Sequence, residues 1–234
     1  QRRSETKTEQ KVSSVKKSLI IVIAILLIDQ IVKVWVKLNF TIGEEVCLIG
    51  DWCRLHFIEN EGMAFGMSFG GVFGKYVLTF LRIIASFFIG WYLLNLIKKN
   101  ENKLAVYSFT LIFAGAVGNI VDSMFYGLLF SESTFFTVSQ FFPAEGGYAP
   151  MFLGKVVDMF YFPLIDTTFP QWIPFIGGNS FRFFNAIFNV SDISITVGVV
   201  LLLISLIFTK KGNDIATEAI KESASNELTE TKND

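Results

Sequence analysis

The chain has 234 residues, of which 52% are hydrophobic, and its mean hydropathy is +0.50. This apolar fraction exceeds what a soluble domain of the same size buries, and it predicts a protein that uses lipid as its solvent. The formal net charge of -1, with no block of Lys and Arg outside the termini, argues against a phosphate-binding surface and therefore against nucleic acid as a partner.

Four apolar runs of spanning length predict an all-α membrane protein with four transmembrane helices. The runs cover Leu19–Leu38, Tyr76–Ile97, Leu104–Tyr126 and Ile193–Thr209. The first run is longer than the core of a cleavable signal and lacks a small-residue cleavage site, so we expect it to remain as a helix. Residues 19–209 therefore form the membrane domain, and the polar ends 1–18 and 210–234 are expected to be disordered.

The distribution of basic residues predicts the orientation of the spans. Lysines and arginines precede the first span, join the second to the third and follow the fourth, whereas the connections 39–75 and 127–192 contain few of them. We therefore expect both termini in the cytoplasm and both of these connections on the outer face.

The two outer connections have the most irregular sequence. Short runs at 45–49 and 55–58 are typical of strands that pair into a small sheet. The stretch 128–153 is rich in Phe and Gly, and a connection of this length is usually functional. Our hypothesis is that 128–153 forms a lid or a flap that interacts with lipid.

Cys47, Cys53 and His56 are the ligands that a zinc site in the first outer connection would use. Their spacing matches no common zinc pattern, and a closed structural site needs a fourth ligand. A Cys47–Cys53 disulfide and two free thiols both remain open.

Polar side chains within the spans gather at one depth, in the outer leaflet and its interface. Asp29 and Lys33 lie one turn apart on one face of the first helix. The same level is reached from the other three helices by Arg82, Asn119, Asp122, Asn189 and Asp192. The simplest interpretation is mutual neutralisation, Asp29 with Lys33 and Asp122 with Arg82.

That interpretation leaves Asp158 and Asp192 without an evident partner. Two carboxyl groups held close together share a proton, so that one acts as a base on water while the other donates to a carbonyl oxygen. Asp192 lies at a helix N-terminus, where the helix dipole favours negative charge. A plain helix cap at Asp192 and an ordinary loop acid at Asp158 are the alternatives.

Five motifs in this order resemble those of lipoprotein signal peptidase, also called signal peptidase II, of bacterial inner membranes. The similarity runs through most of residues 19–209. Asp29-Gln30-Ile-Val-Lys33 resembles the family's D-Q-x-x-K. The other four are Asn60-Glu-Gly62-Met-Ala64-Phe65-Gly66, Gly115-Ala-Val-Gly118-Asn119-Ile-Val-Asp122, Val156-Val157-Asp158 and Phe188-Asn189-Val190-Ser191-Asp192.

The resemblance implies a peptidase whose catalytic pair is Asp158 and Asp192, with no metal or cofactor. It also implies a prolipoprotein substrate, cut just before a cysteine that carries diacylglycerol, and a fold of four spanning helices with a small β-cradle on the outer face. The motif residues that would support the pair or contact substrate are Asp29, Lys33, Asn60, Gly62, Ala64, Phe65, Gly115, Asn119, Asp122 and Asn189.

The sequence departs from the family pattern at four places. The Arg that usually follows the third-helix Asp is Ser123 here, and the Ala before the last Asp is Ser191. Our hypothesis is that Arg82 supplies the missing positive charge from the second helix. The links 128–153 and 159–187 also exceed the lengths that are common in the family.

Alternative functions are a small ion or proton relay that uses the buried charges, and a non-catalytic lipid-binding assembly factor. A serine–lysine peptidase around Lys33 is a weaker alternative, because no serine is clearly placed beside it. With the peptidase function we expect a monomer in the bacterial inner membrane, with its active site at the outer face and membrane lipid around it.

Overall fold

The computed structural model describes residues 2–61, 71–163, 165–183 and 186–208. Within these residues, four helices are long and apolar enough to cross a membrane, as the sequence predicted. The first helix spans Arg2–Asn39, the second Gly71–Lys99, the third Lys103–Leu129 and the fourth Val190–Phe208. Their outward faces carry many exposed Leu, Ile, Val and Phe side chains, which is the surface that lipid requires.

The structure differs from the prediction that residues 1–18 are disordered. The first helix begins at Arg2, well before the apolar run at Leu19. Residues 2–18 contain many good helix formers such as Arg, Lys, Glu and Gln, and a segment that extends an existing helix avoids the cost of nucleation. The predicted disordered tail 210–234 lies outside the described residues.

The third helix changes its winding near its C-terminal end. It is α-helical over Lys103–Val121, π-helical over Asp122–Tyr126 and α-helical again over Gly127–Leu129. A π-helical turn inserts an extra residue and rotates the side chains that follow it, and such turns often occur at functional sites. The turn begins at a residue of the predicted site, Asp122.

A four-stranded antiparallel sheet lies over one end of the helical bundle, with strand order β1-β2-β3-β6. Its strands are β1 Glu45–Ile49, β2 Cys53–Asn60, β3 Val156–Tyr161 and β6 Ile187–Phe188, and a separate hairpin pairs β4 Ile165–Thr168 with β5 Ser180–Phe183. The two strands predicted in the first connection are confirmed. The strands of the second connection were not predicted.

A hydrophobic cluster joins this sheet to the C-terminal ends of the first and third helices. Val36 of the first helix, Phe40 just after that helix and Tyr126 of the third helix pack together. They also contact side chains of β2 and β3, among them Phe57 and Met159. These side chains are at most 9% exposed. The cluster fixes the height and tilt of β2 and β3 over the bundle, and thereby the position of any residue that they carry.

Both cysteines are free, so the predicted alternative of a disulfide is not formed. In the β1–β2 register, Cys47 lies opposite Arg54, whereas Cys53 lies opposite Ile49. Cys47 is exposed and Cys53 is buried, which places the two thiols in different surroundings.

Candidate active site

Lys33 lies at the centre of a buried charge cluster between the first and third helices. Its Nζ is 2.8 Å from Asp29 Oδ2, 2.8 Å from Asp122 Oδ2 and 2.9 Å from Asn119 Oδ1. The side chains of the three charged residues are fully buried. The predicted pairing of Asp29 with Lys33 is therefore observed, but the partner of Asp122 is Lys33 and not Arg82 as the sequence suggested.

Gln30 completes this cluster. Its Nε2 donates to Asp29 Oδ2 at 3.1 Å and to Asp122 Oδ1 at 2.9 Å, and its Oε1 accepts from the Tyr126 hydroxyl at 3.0 Å. The motif contained Gln30, yet the sequence assigned it no role. The cluster thus holds the carboxyl groups of Asp29 and Asp122 in fixed orientations.

The two carboxylates of the cluster also bind backbone amides of neighbouring elements. Ser191 N of the fourth helix donates to Asp29 Oδ1 at 2.8 Å, and Val157 N of β3 donates to Asp122 Oδ2 at 3.3 Å. These amides come directly before Asp192 and Asp158 in the chain. The buried cluster therefore positions the backbone on which each acid of the predicted pair stands.

Asp192 belongs to a reciprocal cap at the N-terminus of the fourth helix. Asp192 N donates to Asn189 Oδ1 at 3.0 Å, and Asn189 N donates to Asp192 Oδ2 at 3.3 Å. This is the geometry of a capping box, with its polar residues three apart. Because the cap engages Asn189 Oδ1, the Nδ2 of the same amide is directed elsewhere.

That Nδ2 group joins the two predicted catalytic acids. It donates to Asp158 Oδ1 at 2.6 Å and to Asn119 Oδ1 at 3.1 Å, while Asn119 Nδ2 donates to Asp192 Oδ1 at 2.8 Å. Asn119 Oδ1 also accepts from Lys33, so the orientation of this amide is set from both sides. Two asparagines thus hold Asp158 and Asp192 in one network.

Asp158 occupies the middle of β3 and is 3% exposed. Ile58 lies opposite it in β2, and Asn60 Nδ2 donates to its Oδ2 at 3.3 Å. Burial raises the pKa of Asp158 to about 7, and the negative charge of Asp192 acts in the same direction. The hydrogen bonds from Asn189 and Asn60 oppose this shift because they stabilise the carboxylate.

Glycines allow the third and fourth helices to approach closely. A Cβ at Gly115 would lie 2.2 Å from Ser191 O, and a Cβ at Gly118 would lie 2.0 Å from Ser191 Oγ. Both contacts are too short for any side chain. Gly115, predicted as a support residue, therefore acts through packing, and Ser191 fills the space beside Gly118.

Of the remaining predicted site residues, the structure describes Arg82. Arg82 is half-buried on the second helix, and it interacts electrostatically with Asp192, Asp158 and Asp122. It is therefore near the acids, as the hypothesis of a replacement for the family arginine requires. Gly62, Ala64 and Phe65 lie outside the described residues.

A second buried cluster, which the sequence did not predict, lies one helical turn beyond Lys33. Lys37 Nζ forms an ion pair with Glu59 and donates to Ser133 Oγ at 2.9 Å, and Ser133 Oγ donates to Glu59 Oε1 at 2.9 Å. Glu59 precedes Asn60, the residue that binds Asp158. The spacing of Lys37 four residues after Lys33 was the signal available in the sequence.

The described part of the chain has four spans with a small sheet on one side, and two carboxyl groups are held together where the sheet and the spans meet. This arrangement is that of a multi-pass membrane enzyme built around paired acids. Residues 21–208 match the model of a family described as signal peptidase (SPase) II, and the chain belongs to this family. It is therefore a bacterial multi-pass membrane peptidase, and a site of paired aspartates is consistent with that family.

Curated relatives and solved structures agree with this assignment. The chain is 45% identical over 185 residues to a protein of Porphyromonas gingivalis named lipoprotein signal peptidase, with 79% of this chain and 80% of the relative covered. A protein of the same name from Amoebophilus asiaticus is 36% identical over 180 residues, with 76% and 72% covered. A solved bacterial membrane enzyme superposes with a TM-score of 0.54 at 22% identity, covering 84% of this chain and 91% of its own, which supports the fold alone.

Proposed function

We propose that this protein removes the signal peptide from diacylglyceryl-modified prolipoproteins, cutting before the lipidated cysteine, with Asp158 and Asp192 as the catalytic pair. The observation that carries the proposal is the network in which Asn189 contacts Asp158 through its side chain and Asp192 through its cap. A cap alone needs no second acid at this place. The relatives named lipoprotein signal peptidase support the substrate class.

The two acids have environments suited to different roles. Asp192 accepts N–H hydrogen bonds from Asn119 and Asn189 at a helix N-terminus, which suits a carboxylate that takes a proton from water. Burial raises the pKa of Asp158 to about 7, so a large fraction of this carboxyl group carries a proton near neutral pH and can donate it. We therefore assign the shared proton to Asp158 and the role of general base to Asp192.

Hydrolysis then proceeds with water as the nucleophile. Asp192 removes a proton from water as its oxygen bonds to the scissile carbonyl carbon, and Asp158 gives its proton to the carbonyl oxygen. The tetrahedral intermediate then collapses as the C–N bond breaks. The leaving nitrogen takes a proton from Asp192, and one hydroxyl of the intermediate returns its proton to Asp158 as the carbonyl forms again. This sequence needs two carboxyl groups and water, and it requires neither a metal nor an organic cofactor.

The remaining polar residues position this pair. Lys33 fixes the amide of Asn119, and the Asp29 and Asp122 carboxylates hold the backbone before each catalytic acid. In our proposal Arg82 stabilises negative charge near the acids, in place of the family arginine at Ser123.

The orientation has both termini in the cytoplasm, which puts the acids at the outer face, and the active form is a monomer surrounded by lipid.

Cleavage of a defined substrate tests this function. Purified protein in detergent is incubated with a diacylglyceryl-modified prolipoprotein and, in parallel, with the same prolipoprotein lacking the modification. We expect a gel shift with the modified substrate alone, and mass spectrometry should place the new N-terminus at the modified cysteine. Folded protein that leaves the modified substrate intact would contradict the proposal. That result would favour an ion or proton relay or a lipid-binding assembly factor instead.

A further inference from the structure

The outer segment 130–142, which we call the aromatic loop, follows directly after the third helix and carries exposed phenylalanines. Phe136 is 92% exposed and Phe135 is 71% exposed. Adjacent large apolar side chains at such exposure usually mark a surface that meets lipid or another protein. The catalytic network described above uses neither ring.

Backbone hydrogen bonds hold the aromatic loop in one shape. Phe142 N donates to Leu129 O at 2.8 Å, and Ser131 N donates to Gln140 O at 3.0 Å, so the two ends of the loop are tied together. Phe130 is 1% exposed, and its ring lies 5.1 Å from that of Phe141. The tip rings are therefore presented by an ordered base, which lowers the entropy cost of binding through them.

The tip of the aromatic loop lies beside the outer end of the first helix. Ile42 N, three residues beyond the helix end at Asn39, donates to Thr134 O at 2.9 Å. A Cβ added to Gly43 would lie 3.4 Å from the Phe135 ring. Three residues span at most about 10 Å, so Ile42 lies within that distance of the helix end, and Thr134, which precedes Phe135, is one hydrogen bond beyond Ile42. This is the depth of the membrane interface, which favours aromatic side chains.

Three backbone amides at the tip have hydrogen-bond partners within the loop. Thr134 Oγ1 accepts from Phe136 N at 3.1 Å and from Thr137 N at 3.0 Å, and Thr134 N donates to Thr137 O at 3.1 Å. A segment that enters lipid must satisfy its amides in this way, because lipid offers no partners. A loop in water has no such requirement.

The same connection also carries exposed carboxylates. Glu132 is exposed and its Oε1 lies 3.7 Å from Lys155 Nζ, and Glu145 is also exposed. A segment that combines exposed apolar rings with exposed carboxylates suits a lipid–water interface. It also favours lipid over an entirely apolar protein groove as the occupant.

We propose that the aromatic loop is an interfacial lipid-binding element, in which Phe135 and Phe136 enter the outer leaflet at headgroup level while Glu145 remains in water. The loop also reaches the catalytic site, because Ser133 within it contacts Glu59, which precedes the Asp158-binding Asn60. Lipid that holds the loop at a fixed depth thereby holds β2, and the active site with it, at a fixed height above the spans.

Spin-label accessibility measures this insertion without any need for turnover. In a Cys47→Ser/Cys53→Ala background, Phe136→Cys is labelled with a nitroxide and reconstituted into vesicles of phosphatidylethanolamine and phosphatidylglycerol. The matched control is Glu145→Cys in the same background. Collision with oxygen, which concentrates in lipid, and with a water-soluble nickel chelate is measured for both labels, and Phe135→Cys repeats the measurement at the neighbouring position.

We expect the ratio of oxygen to nickel collision to be several-fold higher at position 136 than at position 145. Equal nickel access at the two positions would overturn the proposal. A label at 136 that is shielded from both reagents would also overturn it, because that result indicates contact with protein, such as a second copy of this chain. Insertion in a protein that fails to cleave prolipoprotein would contradict the proposed function alone.

Discussion

Two buried lysines stand one helical turn apart on the first helix, and their surroundings differ. Lys33 faces two carboxylates, Asp29 and Asp122, and joins the first helix to the third. Lys37 faces one carboxylate, Glu59, together with the Ser133 hydroxyl and the rings of Phe130 and Tyr148 at 5.4 and 5.1 Å. The first cluster joins helices within the bundle, and the second joins the bundle to the sheet and the aromatic loop.

The difference shows how a peptidase site is supported from two sides. The Lys33 cluster binds the backbone amides that precede Asp158 and Asp192, so it acts on both acids. The Lys37 cluster reaches Asp158 only through Glu59 and the adjacent Asn60. Loss of the Lys33 cluster should therefore affect folding and catalysis together, whereas loss of the Lys37 cluster should mainly loosen β2.

Removal of Lys33 has the largest expected effect on stability. Lys33→Met leaves Asp29 and Asp122 buried without their cation, and breaking a buried pair from one side costs about 3–5 kcal/mol. Thermal unfolding of purified protein in detergent measures the loss. Lys155→Met is the control, because this lysine is partly exposed and its ion pairs should contribute less than about 1 kcal/mol. Equal losses in the two variants would refute the central role of Lys33.

Lys37→Met should lower the free energy of unfolding by about 2–3 kcal/mol, which is less than the loss in Lys33→Met. The reason is that Glu59 keeps its hydrogen bond with Ser133 and a longer ion pair with Lys155 at 3.6 Å. The double variant Lys37→Met/Glu59→Met should recover most of that loss, because it removes the stranded charge. The same unfolding measurement compares the single and double variants. A double variant no more stable than Lys37→Met would show that the pair does not act as a unit.

Asn60 offers a test through the pH dependence of cleavage. Its hydrogen bond lowers the pKa of Asp158 from the value that burial alone would give, so Asn60→Ala should raise this pKa above about 7. If Asp158 is the proton donor, the activity falls as pH rises through its pKa, and this limb should move about 0.5–1 pH unit upward, given a hydrogen bond of about 1 kcal/mol. A limb that stays in place, or moves to lower pH, would assign the proton elsewhere.

Ser191, which borders the Lys33 cluster, should give the smallest effect. Its buried Oγ has no hydrogen-bond partner among the residues that the structure describes, so Ser191→Ala should leave stability unchanged or raise it by up to about 1 kcal/mol. Ser194→Ala is the matched control, because Ser194 Oγ donates to Leu111 O at 2.8 Å and its loss should cost about 1 kcal/mol. A larger loss at Ser191 than at Ser194 would contradict this assignment.

The sequence predicted the spans and the Asp29–Lys33 pair because both depend on local spacing. Asp29 and Lys33 lie one turn apart on a helix, and charge is so costly in lipid that its position there is informative. Strand β3 was missed because Val156–Tyr161 is almost entirely buried, so its sequence lacks the alternation of a half-exposed strand. The Lys37 cluster was missed because it depends on how the aromatic loop folds back, which brings Ser133 to a residue 96 positions away.

The catalytic pair is the central claim, and substitution of each acid tests it most directly. Asp158→Asn and Asp192→Asn are compared with wild type on a diacylglyceryl-modified prolipoprotein, with Asp51→Asn in the exposed β1–β2 turn as the control. We predict that each of the two site variants remains folded and loses at least about 1,000-fold in cleavage rate, while the control keeps full activity. Cleavage at a wild-type rate by either site variant would contradict the pair.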